Sequence, residues 1–269
     1  MQTKKISVIL IAVAFMLVVL FSCVGLFSVK KIEINFAVSD QTDSASIQST
    51  LDGFLGDNLL FMKTEEIEKA LKGYHYMEVV SVKKQYPNVI TVSLKERREI
   101  YYVKYGEVYY VTTEDGFVLK SVAAAEFSGN TSRDKILLEL VNINVTSETI
   151  GSYLKTDNDQ IMTTVFEMAK SVNLTDCIKT ISVEKKYDEL VGTEYIGVYD
   201  ATFNTYSGVS MMIERVTDKG VEKTENAFYV YDTVLTDYQK AGGAIESYLM
   251  NDGNFRVTYE QKEVWTSNQ

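Results

Sequence analysis

The stretch "YMEVVSVKKQYPNVITVSLKER", Tyr76 to Arg97, holds the one proline in 269 residues. Apolar and polar residues alternate on both sides of it. In the first half Val80 and Val82 are expected to share a face. In the second, Ile90, Val92 and Leu94 oppose Val89, Thr91 and Ser93, the period-two signature of a half-buried strand. Pro87 has a fixed φ and no N–H, so it suits a turn and not a central strand. The stretch therefore reads as a β-hairpin that reverses at Pro87. Its second strand ends in Lys95, Glu96, Arg97 and Arg98, which read either as a solvated strand end or as a clamp or partner contact.

Upstream, "VKKIEINF" (29–36) alternates Ile32, Ile34 and Phe36 against Lys31, Glu33 and Asn35, another strand. Thr42, Asp43 and Ser44 are candidate caps for a short helix whose apolar face is Ile47, Leu51, Phe54 and Leu55. A second helix is expected from Thr64 as N-cap. Glu65 and Glu66 suit its dipole, Ile67, Ala70, Leu71 and Tyr74 form its buried stripe, and Gly73 lies at its end. The order is strand, helix, helix, strand, strand.

Ile6 to Ser28, "ISVILIAVAFMLVVLFSCVGLFS", has 23 residues without a charge, fifteen of them Val, Ile, Leu or Phe. As a helix it reaches about 35 Å, and those fifteen favour insertion by about 5 to 9 kcal/mol as an upper figure. It reads as an uncleaved membrane anchor. A cleaved signal peptide has a shorter apolar core and a small-x-small site. A lipoprotein signal is the second alternative, since "LFSC" ending at Cys23 approximates a lipobox, though Phe21 is bulky for its position. Lys4 and Lys5 precede the span and Lys30 and Lys31 follow it, so only the N-terminal amine tips the orientation towards a cytoplasmic N-terminus.

With 27 basic and 37 acidic side chains the net charge is −10, which disfavours a phosphate backbone as partner. Cys23 and Cys177 are far apart in the chain, and His75, in a turn, is the one histidine. That set supports neither a four-ligand zinc site nor a Ser/Cys–His couple. The acidic groups fall in turns and helix starts, where capping accounts for them. No catalytic, cofactor or metal residue is assigned.

Beyond Glu99 tyrosines crowd into "IYYVKYGEVYYVTTEDGFVL" (100–119), which suits strands with one buried and one wet face. "KYGE" and, better, Asp115-Gly116 mark hairpin turns. A helix is expected in "TDNDQIMTTVFEMAKSV" (156–172), with Asp157 and Gln160 as a capping-box-like start and Ile161, Val165, Met168 and Val172 as its stripe. "CIKTISVEK", "EYIGVYDATF" and "GVSMMIERV" read as strands joined at Gly192 and Ser207-Gly208. "TDYQKAGGAIESYLM" (236–250) reads as a further helix capped by Thr236 and Gln239. Leu235, Tyr238, Ile245 and Leu249 would share its face, and Gly242-Gly243 would kink it. "NDGN" turns the chain into a last strand, "FRVTYEQKEVW".

The segment "NLLFMKTEEIEKALKGYHYMEVVSVKKQYPNVITVSLKERREIYYV" resembles the POTRA domain of the FtsQ/DivIB family of bacterial cell-division proteins. Val79, Val82, Pro87, Glu96 and Arg97 occupy places that match the family pattern. The resemblance implies an α+β fold. A cytoplasmic tail (1–5) and a single transmembrane helix (6–28) precede a POTRA domain of order β-α-α-β-β (29–98). A second, β-rich α+β domain (99–262) and a C-terminal tail (263–269) follow. It implies a non-enzymatic, single-pass protein of the division septum without cofactors. Its partners would be FtsL-like and FtsB/DivIC-like bitopic proteins and, through them, the septal peptidoglycan synthases. Candidate contacts are Lys95, Glu96 and Arg97 at the domain junction, and Phe255, Val257 and Tyr259 on a last strand expected at a sheet edge. The alternative function is an anchored or lipid-modified ligand-binding or sensor protein.

Overall fold

The computed structural model describes residues 13–16, 25–37, 44–127, 135–172 and 177–261. Most of the expected anchor lies outside them. No helix among the described residues is long and apolar enough to cross a membrane. The chain divides into two compact units between Arg97 and Arg98, one residue earlier than expected.

The first unit runs β1 (Lys31–Ala37), α1 (Ser44–Asp52), α2 (Thr64–Leu71), β2 (Met77–Gln85) and β3 (Val89–Glu96). Its three strands lie in the order β1-β3-β2. β1 pairs parallel with β3, Ile32 beside Ile90 and Ile34 beside Val92. β2 returns antiparallel, with Gln85 opposite Val89 across the Tyr86-Pro87-Asn88 loop. Ile47 and Leu51 of α1, Ile67 and Leu71 of α2, and Ile90, Val92 and Leu94 of β3 form one core with Leu59 and Met77. Each such aliphatic side chain contributes about 1.5–3 kcal/mol of burial as an upper figure. The Tyr74 phenol ties α1 to the end of α2, donating to the Ser46 carbonyl at 2.9 Å beside Thr50 Oγ1.

Three local expectations are corrected. A register shift between Val79 and Ser81 puts an extra residue into β2, so Val79 and Val82 pack on the core while Val80 is exposed. A bulge of this kind breaks the strict alternation that had paired Val80 with Val82. α1 stops at Asp52, which leaves Leu55 exposed although Phe54 still packs inward. Thr64 is the first helical residue of α2, preceded by Lys63 at the cap position, and no side chain caps it. Ser44 opens α1, whereas Thr42 and Asp43 lie outside the described residues.

The second unit carries β4 (Tyr101–Tyr105), β5 (Val108–Thr112), β6 (Val118–Ala123), β7 (Ile136–Val141), β8 (Val145–Ser147) and β9 (Lys155–Thr156). α3 (Asp159–Ser171), β10 (Ile178–Val191), β11 (Glu194–Thr205) and β12 (Val209–Ile213) follow. α4 (Gly220–Tyr229), a π-helical turn (Val230–Val234), α5 (Asp237–Lys240), β13 (Gly243–Leu249) and β14 (Phe255–Glu260) complete it. Nine strands form one mixed sheet in the order β14-β13-β12-β11-β10-β7-β4-β5-β6, while β8 and β9 pair separately. Tyr101, Leu138, Ile181, Ala201, Phe203 and Met211 from the sheet share a core with Ile161, Val165 and Met168 of α3 and Ala227 and Phe228 of α4. Burial raises the Tyr101 phenol well above its usual range, and Glu114 adds to it. Gly116 has φ +82°, and a Cβ there would stand 2.5 Å from the Phe166 ring. The Asp115-Gly116 turn therefore needs glycine on two counts.

The expected helix over 236–250 is overturned after its first turn. The Thr236–Gln239 capping box forms, but α5 has only four residues and Tyr238 is exposed. From Gly243 the chain is strand β13, buried at Ile245 and Ser247. α3 lacks the Asp157–Gln160 box. Asn158 occupies the cap position without a side-chain bond to the helix, and Asp159 Oδ1 instead accepts from the Thr156 N–H at 3.0 Å. Strand β7 and helix α4 were not expected.

Candidate docking surface

β14 is the last strand of the sheet, and among the described residues only β13 pairs with it. "FRVTYE" forms a strand because Phe255, Val257 and Tyr259 alternate with Arg256, Thr258 and Glu260. It reverses from β13 through the turn at Gly253, whose φ is +82°. The six pairs from Leu249–Phe255 to Ala244–Glu260 run without a shift.

Three side chains fasten this strand. The Tyr259 hydroxyl donates to the carbonyls of Gln239 at 2.9 Å and Gly242 at 3.2 Å. Its ring covers Gly243, where a Cβ would meet it at 2.5 Å. Burial, then the neighbouring Tyr238, raises the Tyr259 phenol pKa. Val257 packs with Tyr259 against the core, and the Lys219 ammonium sits 5.5 Å from the centre of the Phe255 ring. The expected contacts Phe255, Val257 and Tyr259 thus hold the strand in place, and among the described residues no strand pairs with its outer row of backbone groups.

An edge strand offers unpaired N–H and C=O groups to an extended segment, and proteins usually blunt such edges with bulges, prolines or charge. β2, an edge of the first sheet, carries a register shift, and so does the β5–β6 pairing at the far edge of the second. β14 has neither bulge nor proline, and its exposed charges are Arg256 and Glu260. It is geometrically ready to accept another strand.

Lys95, Glu96 and Arg97 lie in the other unit, at the end of β3. Lys95 is exposed and pairs with both Ala37 and Glu78, and Glu96 stands opposite Met77. Arg97 turns back into its own unit. Its N–H donates to the Tyr76 carbonyl at 2.8 Å, and its guanidinium donates to the carbonyls of Met77 and, at 3.4 Å, His75. The cation thereby secures the turn between α2 and β2. On the other side of the boundary Glu99 pairs with Lys120 at 2.6 Å and Lys135 at 2.9 Å.

One buried cation gave no signal in the sequence reading. Lys223, on α4, is 1% exposed and donates through Nζ to the carbonyls of Glu214 at 2.6 Å and Arg215 at 3.1 Å. It anchors the loop that leads from β12 into α4. Desolvation lowers its pKa from the usual lysine value. The spacing Thr224, Ala227, Phe228, Tyr231 would have revealed this helix.

Residues 27–97 match the FtsQ-type POTRA domain. The matches support membership of the FtsQ/DivIB family. Over 159 residues it is 24% identical to the cell division protein DivIB of Clostridium botulinum strain Hall, a match covering 59% of this chain and 59% of the relative. The DivIB of the Loch Maree strain matches to the same extent. That of Clostridium acetobutylicum is 26% identical over 65 residues, 24% of this chain and 26% of the relative. The longer matches therefore span less than two thirds of these FtsQ/DivIB relatives.

Proposed function

We propose that this FtsQ/DivIB-family chain is a non-enzymatic scaffold of the bacterial division septum, anchored by Ile6–Ser28 with its N-terminus cytoplasmic and both folded units outside. Its partners are FtsL-like and FtsB/DivIC-like bitopic proteins, and through them it supports septal peptidoglycan synthesis. The observation that carries this reading is β14, a regular sheet edge without bulge or proline, in a chain whose relatives are named as division proteins. A partner segment adds to β14 as a further strand. Backbone hydrogen bonds supply affinity, and alternate side-chain positions supply selectivity. Arg97 serves the junction as an internal clamp, with Lys95 and Glu96 open to a partner.

A fluorescent fusion of the full chain, produced in place of the native copy in growing cells, tests the proposal. Bands at mid-cell are expected. A uniform rim over the whole cycle overturns the septal role.

A further inference from the structure

The loop between α1 and α2, "GFLGDNLLFMK" (53–63), divides its apolar residues between two destinations. Leu59 and Met62 are buried in the core of the first unit, at 0% and 7% exposure. Leu55, Leu60 and Phe61 face outward, Phe61 at 79%. This is not a slack loop. The Asn58 carboxamide oxygen accepts from the Leu60 N–H at 3.0 Å, and the Lys84 ammonium donates to the Met62 carbonyl at 2.5 Å. The outward side chains are presented by a braced scaffold, and burying them would favour whatever medium receives them.

Their location names that medium. The Leu59 N–H donates to the Phe27 carbonyl at 2.7 Å, the Val29 N–H to the Asp57 carbonyl at 2.8 Å, and the Gly56 N–H to the Val29 carbonyl at 2.9 Å. The loop is thus stitched to residues 27–29, where the 23-residue apolar segment Ile6–Ser28 ends. Leu26 is exposed beside this seam. The exposed Tyr86, from the hairpin loop of Pro87, meets Phe27 edge-on at 6.0 Å. The chain leaves this unit from the Glu96 end of β3, the opposite end of the sheet from Lys31 and Val89. At a rise of about 3.3 Å per residue, the two ends lie roughly 25 Å apart.

We propose that Leu55, Leu60 and Phe61, with Leu26 and Tyr86, form a bilayer-contacting surface that seats the first unit on the outer leaflet. This rests on reading Ile6–Ser28 as the anchor. Aromatic and aliphatic side chains partition into the headgroup–acyl boundary, where tyrosine keeps its hydroxyl in water. Lys30 and Lys63 flank the apolar group and complement anionic headgroups, whereas Lys31 pairs with Glu33 at 2.7 Å, and Asp57 is the only carboxylate of the loop. One ionised group is compatible with contact at headgroup depth and not with deep insertion.

The test uses the full chain with Trp265, its one tryptophan, changed to Phe. Phe61→Trp then provides a single reporter, and Glu78→Trp, at the far end of β2, a second. Each protein is reconstituted into phosphatidylcholine–phosphatidylglycerol vesicles, with and without lipid brominated on the upper acyl chain. The expected result is blue-shifted Phe61→Trp emission that brominated lipid reduces about twofold, with Glu78→Trp unaffected, as interfacial burial requires. If the chain resists alkaline carbonate extraction yet Phe61→Trp is unquenched, the lipid contact is overturned and the anchor stands. If carbonate extracts the chain, the anchor and the contact fall together. Equal quenching at Glu78 also overturns the proposal, because the surface would then have no preferred end.

Discussion

The Tyr259 hydroxyl donates to the Gln239 carbonyl at 2.9 Å, fastening the outermost strand of the large sheet to the short helix before β13. Tyr259→Phe keeps the ring over Gly243 and removes only the hydroxyl. The expected loss is about 1 kcal/mol, the usual worth of a hydrogen bond, with faster amide hydrogen exchange concentrated in β14. Gly243→Ala is expected to be harsher, because its Cβ displaces the same ring. Exchange rates unchanged in β14 for both variants would contradict this fastening.

Proline scanning of the edge separates folding from docking. In an antiparallel edge strand, successive N–H groups point alternately to the neighbour and to solvent. Of Val257→Pro and Thr258→Pro, one therefore removes a bond to β13 and the other only an outward donor. The second variant should keep the thermal stability of the parent while losing partner retention about tenfold or more in detergent pull-downs, since strand addition depends on those donors. Undiminished retention by both folded variants would exclude β14 as the docking edge.

Arg97→Ala removes a charged donor from the carbonyls of Met77 and His75. The first unit should lose about 1.5–3 kcal/mol, read as a lower denaturation midpoint of that unit. Arg97→Lys should recover only part, because an ammonium lacks the planar fork. Charge reversal at Arg97 that retains both the fold and septal recruitment would confine its role to this clamp.

Lys223→Met leaves the carbonyls of Glu214 and Arg215 without their donor and should cost about 1–3 kcal/mol. The pH dependence has a definite sign. Because the folded-state pKa is lowered, the unfolded chain binds more protons as pH rises towards 10.5, the ordinary lysine value. The native protein therefore gains stability relative to Lys223→Met over that rise. Denaturant midpoints of the two proteins, measured in parallel from neutral pH upwards, should diverge in that direction.

The β2 bulge also has a consequence in mutation. Val82→Ala should cost about 1–2 kcal/mol and Val80→Ala less than about 0.5, because only Val82 packs on the core. Equal costs would place the register shift elsewhere.

The hairpin around Pro87 and the face Ile90, Val92 and Leu94 were legible because strict alternation meets an unmistakable turn residue. Val80 was misread because an inserted residue leaves no compositional mark and only cross-strand register exposes it. Ile245 and Leu249, four residues apart, share a face in a helix and in a strand alike. Buried between them is Ser247, whose polar side chain hid the alternation that would have decided for β13. β7, "ILLELV", is flanked on both sides by parallel neighbours, so its near-continuous apolar run shows little period of two. α4 opens after Lys219 at φ +51°, with no capping side chain to announce it. The edge position of β14 followed from its being the last strand-like segment read. Its lack of a bulge needed the register.

The parallel pairing of β1 with β3 has a mechanical meaning. Chain enters β1 at Lys31 and leaves β3 at Glu96, so tension between the two attachments draws the strands along one another in opposite directions. All seven residue pairs from Lys31–Val89 to Ala37–Lys95 then carry load together, in shear, instead of parting one by one as a zipper does. A module wired this way can transmit tension between its two chain ends without unravelling first.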